Sequence, residues 1–155
     1  MIFLEQILAN ELLISAAAAW FIAQVLKTII HTILTKDFQI ERMYGSGGMP
    51  SCHSATVTAL ATSSFFLYGA GSSEFAISVI LAIVVMYDAR GVRRETGIQA
   101  KVLNDLIALL TDIHNELMSM DEKLKEFVGH TPLQVVVGAI LGFMIACITH
   151  FVFYV

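Results

Sequence analysis

The residues of this chain best suited to chemistry are two histidines accompanied by basic side chains. His53 lies in Met49-Pro50-Ser51-Cys52-His53-Ser54, and His130 in Val128-Gly129-His130-Thr131-Pro132-Leu133-Gln134. Each heads an apolar or small-residue run, and the proline beside Ser51 or Thr131 marks a helix start. A histidine there sits near unpaired backbone N–H groups and the positive end of the helix dipole, a place that attracts anions. Arg90, Arg93, Arg94 and Lys125 add positive charge, and an arginine can grip phosphate with two parallel hydrogen bonds.

Such a set suits phosphoryl transfer without a metal or other cofactor. One neutral imidazole attacks phosphorus in line and becomes a phosphohistidine. The other, protonated, donates to the leaving alkoxide and then takes a proton from the water that hydrolyses the intermediate. Histidine can fill both roles because its unperturbed pKa lies near neutrality. Arginines stabilise the charge on the equatorial oxygens. The competing reading is that both histidines are structural groups at a membrane interface. Metal-ligand spacings such as CxxC or HExxH do not occur, and Cys52 and Cys147 make no disulfide framework. Cys147, within an apolar run, reads as a small packing hydrophobe.

The elements that must position these residues are membrane helices. Of the 155 residues, 57% are hydrophobic and 14% charged, whereas a soluble domain carries about a quarter charged residues. The net charge of −4 and the lack of a basic tract argue against nucleic acid as a partner. Glu5, Asn10 and Glu11 interrupt the first stretch, so it does not read as a cleaved leader. The expectation is an all-α polytopic protein, a single domain over 1–155 with about four spanning helices and one amphipathic cytoplasmic helix.

The first span runs from about Leu12 to Leu34, long enough for a hydrocarbon core of about 30 Å. Lys27 interrupts it, either snorkelling to the interface or pointing inward to a site. A polar loop through Lys36 and Arg42 follows. Ser54 to Gly71, rich in Ser, Thr and Ala, suits contact between helices and reads as an interior helix. Phe75–Tyr87 is short for a span and extends through Asp88-Ala89-Arg90, before a turn at Gly91-Val92-Arg93-Arg94. From Lys101 to Phe127, the positions Leu103, Leu106, Leu110, Ile113, Leu117, Met120, Leu124 and Phe127 alternate spacings of three and four, an a/d seam. The remaining face is polar and mostly acidic, which favours a protein partner over an anionic membrane surface. A second copy of the chain, a helical hairpin or a lid over the bundle would each satisfy it. Pro132–Val155 is the last span, and its Gly138/Gly142 pair permits close helix approach within the bundle or in a homodimer.

Four spans put the chain ends on one side. All nine Lys and Arg residues then fall on the other side or in helix ends adjoining it. The positive-inside rule makes that side cytoplasmic, with the termini outside a cell membrane. The same fold-back brings together Gly47–Ser54, Asp88–Arg94 and Lys125–Gln134.

These three segments carry a resemblance. Pro50-Ser51-Cys52-His53 resembles the Pro-Ser-Gly-His motif of the type-2 phosphatidic acid phosphatase and vanadium haloperoxidase superfamily. Gly47–Val57, Tyr87–Arg94 and Gly129–Val135 resemble the signature of its divergent branch. The resemblance implies His53 as the acid toward the leaving group and His130 as the nucleophile. It implies phosphate contacts from Ser51 and its backbone and from Lys125, and a first-motif basic pair drawn from Lys27, Lys36 and Arg42. Arg93 joins the phosphate ligands. Two departures stand out. Cys52 replaces the glycine, and Gln134 takes the place of the aspartate that orients the nucleophile, leaving Asp88 to supply negative charge from the neighbouring helix.

The leading expectation is therefore a metal-independent phosphatase acting on a phospholipid or polyprenyl phosphate at the cytoplasmic leaflet, with phosphatidylglycerophosphate, phosphatidic acid and a polyprenyl pyrophosphate as candidates. The alternative is a non-catalytic membrane protein that binds lipid headgroups or organises partners through the Leu103–Phe127 seam. A transporter fits less well, because the sequence shows no inverted repeat.

Overall fold

The computed structural model describes residues 2–38, 47–113 and 129–154, and these are helical with no strand among them. The order is α1 (Ile2–Leu8), α2 (Glu11–Thr35), α3 (Cys52–Tyr68), α4 (Ser73–Arg90), α5 (Val92–Ile113) and α6 (Pro132–Thr149), closed by a π-helical turn over His150–Tyr154. Arg42, Lys125 and the seam residues Leu117, Met120, Leu124 and Phe127 lie outside the described residues.

The helix starts follow local chemistry. Asn10, Ser51, Ser72 and Thr131 each stand in extended backbone and accept a hydrogen bond from an amide three residues on, satisfying donors that a helix start leaves orphaned. α6 adds Pro132 in its first turn and a full capping box, in which Gln134 reaches back to the Thr131 N–H. Lys36 ends α2 in a left-handed conformation.

α3 is the central element. It packs against α2, α4 and α6, and α2 also meets α6. Its contact surface is made of small side chains: the core joins Ala19 and Ala23 of α2, Cys52, Ala55 and Ala59 of α3, and Ile145 and Ala146 of α6. Larger side chains such as Phe21, Ile29, Ile80, Val84, Ile140 and Ile148 face outward. Small residues inside and large apolar residues outside are what a bundle solvated by lipid requires, since lipid tails accept Leu and Ile while close backbone approach needs Ala, Ser and Gly.

Three segments are long and apolar enough to cross a membrane: Glu11–Thr35, Ser73–Leu109 and Pro132–Val152. α3, the expected interior span, has 17 residues, or about 25 Å at 1.5 Å per residue. It is shielded by its neighbours, which is why it can be less apolar than they are. The chain from Ser73 onward differs from expectation: α5 begins at Val92 rather than near Lys101, separated from α4 by Gly91 alone. No proline interrupts Val92–Ile113, and Gly91 is the one break between the two helices. α1 was not anticipated either.

Gly138 and Gly142 work inside this bundle. A Cβ on Gly138 would meet Ser51 N and Ser54 Cβ at 3.1 Å and the Ser51 carbonyl oxygen more closely still. One on Gly142 would meet Ala55 Cα and carbonyl carbon at 2.9 Å. The pair seats α6 directly on the first turn and a half of α3.

Candidate active site

The site is assembled at the end of the bundle where α3 and α6 start and α2 and α4 finish. Two backbone bonds set its frame. The His130 N–H donates to the Ala89 carbonyl at the end of α4, and the Ser51 N–H donates to the Gln134 carbonyl, both at 3.1 Å. Three segments distant in sequence are thereby held in fixed register, with Gly138 removing the bulk that would push α6 off Ser51.

This register brings His53 and His130 together. Their ring centroids are 5.9 Å apart, with the planes inclined at 65°. His130 is buried, with 1% of its surface exposed, while His53 is half-buried. The two therefore differ in environment: one ring is enclosed by the bundle and the other borders its surface.

The tautomer of a neutral His130 follows from its partner. Gln134 Oε1 accepts the Thr131 backbone N–H at 3.0 Å, which identifies that atom as the oxygen. His130 Nδ1 lies 3.2 Å from the same oxygen. A carbonyl oxygen cannot donate, so Nδ1 carries the proton and the lone pair of a neutral ring falls on Nε2. Nε2 is also buried. A neutral glutamine can thus fix the tautomer as a carboxylate would, while contributing no charge to stabilise an imidazolium.

The other sequence-derived candidates distribute unevenly around this pair. Ser51 is fully buried, and its Oγ accepts the Ser54 N–H at 3.3 Å and the Ser54 hydroxyl at 3.0 Å, so its lone pairs serve the helix cap. Cys52, the departure from the motif glycine, turns into the alanine-lined core, with Sγ 3.9 Å from His53 Nδ1. Asp88 is half-buried and immediately precedes Ala89, the acceptor for His130. Arg93 falls in the first turn of α5. Arg90 ends α4, exposed.

Lys27 is 3% exposed and points inward, not along the surface. Its stem lies against Gly48, where a Cβ would meet Lys27 Cγ at 2.9 Å and Cδ at 3.0 Å. Gly48 also has φ +87, so both its conformation and the closeness of Lys27 require glycine. Lys36, by contrast, is exposed at the end of α2.

A profile described as the Divergent PAP2 family matches residues 8–145. The chain belongs to this family. The match takes in the Lys27, Gly48, Ser51, His53, Asp88, His130 and Gln134 positions and ends within α6. Among curated proteins, the uncharacterized membrane protein YuiD of Bacillus subtilis (strain 168) is 38% identical over 156 residues, covering 96% of this chain and 99% of that protein. No solved structure matches the chain.

Two groups of polar residues in this Divergent PAP2 member escaped the sequence reading. Gln24, Thr28 and His31 join Lys27, already a candidate, in one stripe along α2, and all but His31 are buried. The signal was available: spacings of three and four place all four side chains on one helix face, and polar groups inside a span mark functional positions. At the opposite end of the bundle, His150 Nδ1 lies 2.9 Å from Oε1 of buried Glu11 and its ring stacks on Phe66, with centroids 4.6 Å apart. One turn along, Ser63 and Ser15 share a 2.7 Å hydrogen bond. Nothing in the local sequence pairs Glu11 with a residue 139 positions away.

Proposed function

We propose that the protein is a lipid phosphate phosphatase working through a phosphohistidine on His130. The observation that carries the reading is the pairing of His53 with a His130 whose Nδ1–H is bonded to Gln134. That bond leaves Nε2 as the nucleophilic atom.

In the first step Nε2 of His130 attacks phosphorus, the bond from phosphorus to the leaving oxygen breaks, and protonated His53 gives its proton to the departing alkoxide. In the second, neutral His53 takes a proton from water, the water oxygen bonds to phosphorus, and the P–N bond breaks to release phosphate. An in-line displacement needs the attacking atom about 3–3.5 Å from phosphorus and the acid within hydrogen-bond reach of the leaving oxygen on the opposite side. The juxtaposition of the two rings, with centroids 5.9 Å apart, supports a phosphoryl group shared between them. Lys27, Arg93, Arg42 and Lys125 balance the phosphoryl charge, Ser51 donates its hydroxyl, and Asp88 provides negative charge beside the phosphorylated imidazole.

The bundle is a single membrane domain of four spans, α3 included, with termini outside and the site at the cytoplasmic leaflet. The positive-inside rule supports that orientation, since the cations gather at the site end. A phospholipid phosphate made on that leaflet, such as phosphatidylglycerophosphate, is the favoured substrate class. Homodimerisation falls to α5, whose Leu103 and Leu106 are exposed, because the Gly138/Gly142 pair is occupied by α3.

The test is phosphate release by purified protein in chelator, with vanadate as inhibitor. Wild type should turn over, and His53→Ala and His130→Ala should each lose most of the rate. Full turnover by His130→Ala would refute the nucleophile assignment. The neutrality of Gln134 favours a second reading, a headgroup-binding protein without turnover. Tight lipid-phosphate binding with no phosphate release from any substrate would establish it.

A further inference from the structure

The polar stripe on α2 holds groups that the two-histidine chemistry does not use. Gln24 is 4% exposed, and among the described residues its Oε1 is buried with no hydrogen-bond partner. The same is true of His31 Nε2. The two atoms bracket Lys27 along one helix face, one turn to either side of it. Thr28, between them, spends its hydroxyl proton on the Gln24 carbonyl at 2.9 Å and cannot donate to either one. A buried acceptor left without a donor costs free energy that a well-packed helix could avoid with Leu or Met. That acceptor, with the unpartnered ring nitrogen of His31 on the far side of a buried lysine, points to a polar ligand that completes them.

Position decides which part of a ligand meets Gln24. Lys27 lies against Gly48, three residues before the Ser51 cap, and marks the level of the phosphoryl group. His31 is farther toward the C-terminal end of α2, nearer the aqueous surface at the site end. Gln24 is one turn deeper, at the side from which the alcohol of a membrane lipid must extend toward its chains. Oε1 is an acceptor, so the group it meets is a donor. Ester carbonyls and prenyl methylenes have no hydrogen to give, whereas a hydroxyl has. We propose that Gln24 accepts a hydrogen bond from the leaving alcohol, so that this site selects lipid phosphate monoesters whose leaving alcohol carries a free hydroxyl next to the ester carbon. The inference rests on the phosphatase reading for the word leaving, but the selectivity itself is a binding property.

Binding is therefore measured on His130→Ala protein in lipid nanodiscs, where no ligand is consumed. The probes are phosphatidylglycerophosphate, which carries the hydroxyl, and phosphatidic acid and a polyprenyl phosphate, which do not. The hydroxyl-bearing lipid should bind about tenfold or more tighter, the effect of one hydrogen bond to an otherwise unsatisfied buried acceptor. In Gln24→Met, which keeps the shape and removes the acceptor, the affinity ratio should fall to near one. Gln24→Leu repeats the test with a different packing shape. Equal binding of the three lipids before substitution, a ratio that survives both substitutions, or a loss of affinity uniform across the probes would each overturn the proposal. Phosphate release by the wild-type protein is a separate arm: its absence with every lipid refutes the phosphatase reading and leaves the binding ratio to decide the role of Gln24.

Discussion

Adding one methyl group at Gly138 should damage both stability and chemistry, because that position is where α6 rests on the Ser51 cap. The new Cβ would lie 3.1 Å from Ser51 N and from Ser54 Cβ, and nearer still to the Ser51 carbonyl oxygen. Ordinary van der Waals contact begins at 3.4 Å, so α6 must back away by several tenths of an ångström or more. The obstructing atoms are mostly backbone and cannot rotate aside. Overpacking of this kind costs about 1–3 kcal/mol, roughly a five- to hundredfold fall in the ratio of folded to unfolded protein. The retreat also separates His130, at the head of α6, from His53, and a displacement near 1 Å can cost about 10²-fold in rate. Thermal unfolding in detergent measures the first effect, and phosphate release by the surviving folded fraction measures the second. Gly71→Ala is the control: its Cβ would meet nothing within 4 Å, so its stability should change by about 0.5 kcal/mol or less. A Gly138→Ala protein as stable as Gly71→Ala, with an unchanged rate, would refute the seating of α6 on α3 through Gly138 and the frame of the site with it.

Removing the carbonyl that holds Nδ1–H, by Gln134→Ala, should lower kcat by about 10²-fold or more, as loss of tautomer control does elsewhere. Gln134→Glu, which keeps both acceptor bonds and adds charge, should retain the rate. Nitrogen-15 shifts of labelled His130 read the tautomer directly, and an unchanged Nδ1–H signal in Gln134→Ala would contradict the assignment. Lys27→Met should raise KM for a lipid phosphate several-fold while leaving the protein folded, since a methionine fits the same space against Gly48. Equal KM values would remove Lys27 from the phosphate ligands. Glu11→Ala leaves half-buried His150 without its carboxylate partner and should destabilise by about 1–3 kcal/mol. Its effect on the rate per folded molecule should be small, because Glu11 lies 16 residues before Lys27 on α2, about 24 Å along the helix axis. A loss of rate without a loss of stability would mean that the two ends of the bundle are coupled.

Hydropathy and local chemistry alone determined much of this protein. The apolar lengths marked Glu11–Thr35 and Pro132 onward, and Ser51 and Thr131-Pro132 marked two helix starts, because a span length and a cap are properties of neighbouring residues. The segments carrying His53, Ala89 and His130 could be placed at one end by counting crossings. Other matters depended on groups far apart in sequence, and only the tertiary structure decided them. Lys27 could snorkel or turn inward, and its burial with the stem against Gly48 resolves the choice. Gly138 and Gly142 could serve a dimer or the bundle, and the Ser51 and Ala55 backbones against them assign them to the bundle. Gln134 looked like a weakened aspartate, but the capping box that identifies its oxygen also dictates which nitrogen of His130 holds the proton. The Glu11–His150 pair and the buried face of Gln24 likewise require the packed helices, because a helical period tells which residues share a face and not what that face will meet.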